Sequence, residues 1–335
     1  MEIRPIDVLD DAELAGWWQT SKAVDAAGRD YPAFWSLRAA TIALREDSRA
    51  SFQLPLAAFG DDGAIIGTSH VRMPLLDNTH LASLDPKVLP AHRGRGVGRA
   101  LLERSLAVVA EKNRSTALCE VNLPLDDDPL QPDLRFARSH GFEVAIVDLH
   151  RVLDLPVGIE RLDELAAQAA PHHERYRLVS WMGRVPDEQL AGYCAVQSAF
   201  NEEAPSGELE LEAEVWDEAR VREGEERAAR QGRQDCVTAA VDEAGTMVGL
   251  TEMVSMDDDR ALALQSGTLV VREARGHRLG LAMKVANLMQ FQGRCPDVTT
   301  VHSWNAEENG AMVAINDTLG FRPVERLAEL QRKLP

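Results

Sequence analysis

Two apolar-rich runs, Phe52–Phe59 and Ala64–Met73, flank the polar turn Asp61-Asp62-Gly63. Strand-length runs on either side of an Asp-Gly turn predict a β-hairpin. Ahead of it a short strand is expected near Glu2–Ile6, a helix from about Asp10 to Ala26 and a second around Ala39–Arg49. Behind it come a strand at Leu81–Leu89 and a helix from about Gly94 to Glu111, with Val97, Leu101 and Val108 on one face. A strand at Ala117–Leu123, an Asp- and Pro-rich loop at Pro124–Pro132, a short helix at Asp133–Ser139 and a strand at Phe142–Leu153 follow.

The pattern then starts again. Leu155-Pro156-Val157-Gly158 reads as a boundary and Ile159–Ala170 as a connecting helix. Tyr176–Met182 is expected as a strand, and Pro186–Phe200 and Trp216–Gln231 as helices. Cys236–Asp242 and Met247–Met256 form a second hairpin around Glu243-Ala244-Gly245. Next come a strand at Leu262–Val271 and a helix at Gly276–Gln292, with Leu279, Met283 and Ala286 on one face. A strand at Val298–Trp304, a helix at Glu308–Leu319 and strand-like Val324–Leu334 close the chain. Strands first and alternation afterwards predict a mixed α/β sheet in each half.

Arg93-Gly94-Arg95-Gly96-Val97-Gly98 and Arg275-Gly276-His277-Arg278-Leu279-Gly280 carry the repeat, 182 positions apart (275 minus 93). Each follows an apolar strand and opens an apolar-rich helix, and each half later reaches a Gly-Phe pair, Gly141-Phe142 and Gly320-Phe321. That period is too long for a solenoid unit and suits two copies of one domain. The division expected is residues 1–155, a connecting segment 156–175, and 176–335.

A Gly-rich turn at a helix start is an anion cradle. The first-turn N–H groups are free, the helix dipole adds positive charge, and glycine lets backbone approach phosphate oxygens. Arg93, Arg95 and Arg99 add charge to the first cradle, and Arg275, His277 and Arg278 to the second. A Walker loop would need Gly-Lys-Ser/Thr, which is absent. A dinucleotide fold would need Gly-x-Gly-x-x-Gly in a parallel βαβ unit, whereas these strands come as hairpins.

The spacing Arg-x-x-Gly-x-Gly after a strand resembles the acyl-CoA pyrophosphate loop of the GNAT acetyltransferase superfamily. Arg93, Gly96 and Gly98 match it fully; Arg275 and Gly280 match in the second half, where Arg278 takes the middle Gly position. The family's last motif resembles Asn-x-x-Ala-x-x-Leu-Tyr-x-x-x-Gly-Phe. The second half reads Asn309, Met312, Ile315, Asn316, Gly320 and Phe321 in that register, and the first reads Phe136, Ala137, Gly141 and Phe142. The resemblance covers nearly the whole chain and is to tandem GNAT proteins of the mycothiol-synthase-like arrangement. It implies two domains, each a mostly antiparallel, splayed sheet flanked by helices.

It also implies acetyl-CoA, or another acyl-CoA, as cofactor and direct attack of an amine on the thioester. The cofactor contacts implied are Leu269, Val270, Val271, Arg275, Gly276, His277, Arg278, Leu279, Gly280, Leu281, Asn305 and Asn309 in the second half. In the first they are Val88, Leu89, Arg93, Gly94, Arg95, Gly96, Val97, Gly98 and Arg99. An alkylamine of pKa about 10 needs a base. Glu252, in an apolar strand beside the implied cleft, is the first candidate, against a polar-face role. His302 is the second, against a sheet histidine with satisfied hydrogen bonds; His70 and His80 occupy comparable strands of the first half. Where the family carries a Tyr that protonates the leaving thiolate, this chain has Asn316 and Ala137. Trp304 is a candidate wall of the acceptor pocket, and Asn305 and Asn309 bind cofactor or cap the next helix. Glu252, Asn305, Asn309 and Asn316 make the second half the expected catalyst.

Composition narrows the partners. The 335 residues carry a net charge of −18, which disfavours nucleic acid. Eight acids and no Lys or Arg fall between Glu202 and Glu218, either a solvated loop or a rim that attracts a cationic small-molecule amine. No apolar run of membrane-spanning length and no apolar leader occur, and Cys119, Cys194, Cys236 and Cys295 lack metal or disulfide spacing. A reducing cytoplasm is the expected location. A CoA-binding module without catalysis and an aminoacyl-tRNA-dependent transferase of the doubled fold remain as alternatives. The acceptor's identity, the acyl chain length and self-association stay open.

Overall fold

The computed structural model of the chain describes residues 1–126, 131–258 and 260–334. The expected loop at Pro124–Pro132 lies partly outside these, at 127–130.

Helix starts fall where a side chain or a turn can satisfy first-turn N–H groups. The first elements are β1 (Glu2–Pro5), α1 (Asp11–Ala26) and α2 (Leu37–Arg45). Asp10 accepts from the N–H groups of Ala12 and Glu13, and Ser36 from that of Ala39. The hairpin β2 (Ser51–Phe59) and β3 (Ile65–Pro74) follows. The single strand expected at Leu81–Leu89 is two short ones, β4 (Leu81–Leu84) and β5 (Lys87–Val88). Asp85-Pro86 interrupts them, since proline has no N–H to give a ladder. Next are α3 (Val97–Glu111), β6 (Thr116–Leu123), α4 (Pro132–Ser139) and β7 (Glu143–Asp154).

The second series runs α5 (Ile159–Ala169), β8 (Arg177–Met182), α6 (Asp187–Ser198), α7 (Phe200–Glu203) and α8 (Glu218–Gln231). It continues with β9 (Arg233–Val241), β10 (Met247–Met256), β11 (Leu262–Val270) and α9 (Leu279–Arg294). It ends with β12 (Thr300–Ala306), α10 (Gly310–Leu319) and β13 (Arg322–Lys333). Asp217 caps α8, so the helix begins after Trp216 rather than at it.

Contacts divide the chain into two compact units, one of Met1–Ile146 plus the segment from Ala328 onward, the other Val147–Leu327. The boundary expected at 155–158 is therefore displaced to the middle of β7, and β13 is split likewise. Both are 12-residue strands whose patterning runs through the division without a break. The segment expected as a connector is part of the second core: α5 buries Leu162, Leu165 and Ala169, spaced as one helix face, in a cluster with Val285, Leu288 and Phe291 of α9.

In the first unit β1, β2, β3, β4 and β6 lie side by side, with β5 also on β3. The ladders are antiparallel except β4 with β6. The second unit has the order β7, β12, β11, β10, β9, β8, antiparallel except β11 with β12. Each is the mixed, mostly antiparallel sheet that the sequence implies. The repeated Gly-Phe pairs end α4 and α10. Gly141 and Gly320 take positive φ, and Phe142 and Phe321 give their N–H to the carbonyls of Ala137 and Asn316 while burying their rings.

Candidate functional site

Both sheets open at the same place. In the second unit β11 pairs with β12 only from Leu262–Gln265 to Thr300–Ser303. Beyond that point β11 follows β10 as far as Val270, and β12 follows β7 as far as Ala306. In the first unit β4 pairs with β6 over Leu81–Ser83, after which β5 stays with β3. A parallel pair that parts leaves one edge of each strand without a ladder, where an extended ligand can insert.

A cradle stands at the end of each diverging strand. Gly94, Gly96 and Gly276 take positive φ, and a Cβ on any of them would meet nothing within 4 Å, so the turns lie open. Neither α3 nor α9 has a side-chain cap on its first turn. The two turns are held alike: Arg93 Nε donates to the Val88 carbonyl at 3.2 Å, and Arg275 Nε to that of Val270 at 3.0 Å. They differ in charge. No acid pairs with Arg93, Arg95 or Arg99 among the described residues. Arg275 Nη2 is bound to Glu203 Oε2 at 2.6 Å, His277 lies against the His172 carbonyl and Arg278 donates to that of Gln168. Arg278 holds the positive φ that the first cradle gives to Gly96.

Glu252 lies on β10 opposite Gly267, next to a bulge that shifts the register by one residue. It is 6% exposed. Arg233 Nη2 reaches its Oε1 at 3.1 Å, and the Tyr193 hydroxyl of α6 its Oε2 at 3.4 Å. Burial and the neighbouring Asp235 carboxylate raise its pKa to about 7 against the pull of Arg233. The carboxylate lines a cavity of about 240 Å³ with Leu250, Phe200, Trp216, Gln197 and Glu214, floored by Ser266 and Gly267 of β11. Asn201 completes the lining, and a small cavity with both polar and apolar walls suits a small polar ligand. Of the acidic run only Glu214 lines it, and that carboxylate also holds Arg220 at 2.9 Å.

The other candidates separate. His302 is 2% exposed, and its Nδ1 meets His150 Nε2 at 3.0 Å; it is not among the cavity's lining residues. It lies on β12 in the stretch still paired with β11, opposite Leu264, where its ring meets His150 of β7. Trp304 likewise stacks on the His150 ring at 4.2 Å instead of walling the cavity. Asn309 caps α10 through the Met312 N–H. Asn316 is wholly buried, accepting from Lys284 Nζ at 2.7 Å and donating to Asn305 Oδ1. In the first unit His70 stands 182 positions before Glu252, edge-on to Trp17 at 5.6 Å, and burial lowers its pKa to about 4. His80 precedes β4, at the end away from the cradle.

Sequence reasoning missed Tyr193 and Arg233, which bond Glu252, and Phe200 and Trp216, which line the cavity. It also missed Lys284, though one lysine in the apolar run Leu279–Val285 is a legible signal of a buried ammonium.

The profile of the acetyltransferase (GNAT) domain matches residues 57–144. No curated protein matches the chain by sequence. Among solved structures, a tandem GNAT protein from the clavulanic acid biosynthesis pathway is 26% identical, with a TM-score of 0.78 over 99% of this chain and 98% of that one. A GCN5-related N-acetyltransferase from Sphaerobacter thermophilus shares the fold at 16% identity, TM-score 0.66, over 99% and 95%. A glucosamine N-acetyltransferase region of a fungal multi-domain β-N-acetylglucosaminidase does so at 17% identity, TM-score 0.67, over 98% of this chain and 38% of that one. Residues 57–144 are a GNAT acetyltransferase domain, and the chain as a whole has the tandem GNAT fold.

Proposed function

We propose that this protein is an acyl-CoA-dependent N-acetyltransferase whose working site lies in the Val147–Leu327 unit and whose acceptor is a small cationic amine. The observation that carries the reading is the buried Glu252 carboxylate at a cavity beside the opening of β11 and β12. An acyl-CoA supplies an acyl group activated as a thioester. The open turn at Gly276 and the first N–H groups of α9 receive its diphosphate, and the outer edge of Leu269 and Val270 takes the pantetheine arm as a strand. Glu252 and Glu214 draw an ammonium into the cavity between Phe200 and Trp216. Glu252, with a pKa near neutrality, then takes the proton so that the nitrogen lone pair can attack the acyl carbon. The glucosamine N-acetyltransferase region among the structural relatives is consistent with an amine acceptor.

One observation favours a second reading. Glu203 occupies Arg275 while the first cradle keeps its arginines, which would make the chain chiefly a CoA-binding module. Thioester consumption with acetyl-CoA and a panel of amines separates the two. Glu252→Gln is expected to cost about 100-fold or more in turnover, and Gly96→Glu little. If only Gly96→Glu abolishes turnover, the first unit is the catalyst.

A further inference from the structure

Lys284 is 3% exposed in the middle of α9. No carboxylate pairs with it among the described residues; its partners are Asn316 Oδ1 at 2.7 Å and the Phe321 ring at 5.3 Å. An ammonium buried without a counter-charge is costly, and a methionine of similar length would fill the space at less expense. Burial alone, with no facing charge from α10, β12 or α9 itself, lowers its pKa to about 7.

The ammonium fixes the orientation of everything beyond it. Lysine nitrogen donates, so Asn316 must turn Oδ1 towards it and Nδ2 away. Nδ2 of Asn316 therefore donates to Asn305 Oδ1, which also accepts from the Ser303 hydroxyl at 3.1 Å. With its oxygen used twice, Asn305 presents its own amide N–H groups, and these have no partner among the described residues. Ser303 is the last residue of β12 paired with β11, and Asn305 lies two residues beyond it. The chain of bonds thus begins at a buried cation and ends in a donor beside the opening of the strands.

We propose that Lys284, a positioning residue acting through Asn316 and Asn305, stabilises the thiolate that departs when an acyl thioester is consumed in this unit. The inference rests on the acyl-CoA reading above. As the amine nitrogen bonds to the acyl carbon, the carbon–sulfur bond breaks and its electron pair leaves on sulfur. The second proton, which nitrogen sheds as it bonds to carbon, passes to water, because Glu252 already holds the one it took from the ammonium. The sulfur, held as a thiolate by the Asn305 N–H and the positive charge behind it, later takes a proton from water. The reciprocal holds: an anion at the opening favours the charged form of Lys284.

The test reads the sulfur directly. The full chain carrying Gly96→Glu, so that the second cradle alone is read, is saturated with free CoA and titrated while thiolate absorbance is followed. Calorimetry reports binding separately. The bound thiol is expected to titrate about one pH unit or more below the ordinary value near 8.5. Lys284→Met and Asn305→Ala, the latter cutting the chain at its exposed end should the former fail to fold, are expected to return it to about 8.5, with CoA still bound in calorimetry. A bound thiol that titrates at its solution value, or that stays low in both variants, overturns the inference alone. If calorimetry finds no CoA bound, the acyl-CoA reading falls and this one with it.

Discussion

Glu252 and His70 stand at one register of equivalent strands, 182 positions apart (252 minus 70), as shown by the matching pairs Gly249 with Val270 and Gly67 with Val88. Burial drives them in opposite directions, Glu252 up to about 7 and His70 down to about 4. Of these two, Glu252 is the one that changes charge near neutrality, and only as a carboxylate can it accept a proton. The value of kcat/KM is expected to rise with pH through about 7, to lose that limb in Glu252→Gln, and to be unchanged in His70→Ala. A pH–rate profile checks this; a limb that survives in Glu252→Gln removes the assignment.

Glu203 holds Arg275, the arginine that the proposed acyl-CoA reading assigns to the diphosphate. An exposed ion pair is worth up to about 1 kcal/mol, roughly a fivefold change in affinity. In a Gly96→Glu background, Glu203→Gln is expected to tighten CoA binding by about twofold to fivefold in calorimetry. Weaker binding would mean that the pair shapes the cradle instead of blocking it.

Lys284 is lowered from 10.5 to about 7 in the folded chain. Between those values the unfolded chain holds the proton that the folded chain has lost, so stability rises with pH across the window, and the full cost is present below pH 7. Lys284→Met is therefore expected to raise Tm most at and below pH 7, with the gain shrinking towards pH 10. Melting curves at stepped pH decide it, and a gain that grows with pH contradicts the buried charge.

Gly249 is constrained by its neighbours. A Cβ there would fall 2.6 Å from the Leu269 carbonyl, and Gly67 has the same relation to that of Lys87 at 2.9 Å. Gly249→Ala must push β10 from β11 at the edge offered to pantetheine. A loss of about 1–3 kcal/mol in thermal stability is expected, together with weaker CoA binding. Unchanged melting would show that the strands can part freely.

The repeat, the cradles and the helix ends were legible because each depends on neighbours in sequence. Gly141 and Gly320 must take positive φ, and a carboxylate at Glu252 in an apolar strand signals itself. Tyr193, Arg233 and Trp216 were not legible, since α6, β9 and the approach to α8 meet at Glu252 only after folding. His302 read as a base because sequence shows a histidine but not that His150 packs against its Nδ1. The contact division inside β7 and β13 was not legible because apolar residues run straight through Ile146-Val147 and Leu327-Ala328.

The first unit takes its last strand from the far end of the polypeptide: the segment from Ala328 onward belongs to it, and Leu334 gives its N–H to the Ser115 carbonyl. No single cleavage of the backbone can release two whole domains. During synthesis the first half must wait, with the edge of β6 uncovered, until the segment from Ala328 onward has been made. Selection on either copy therefore acts on both, and a gene fragment encoding one half alone specifies a protein with a strand missing.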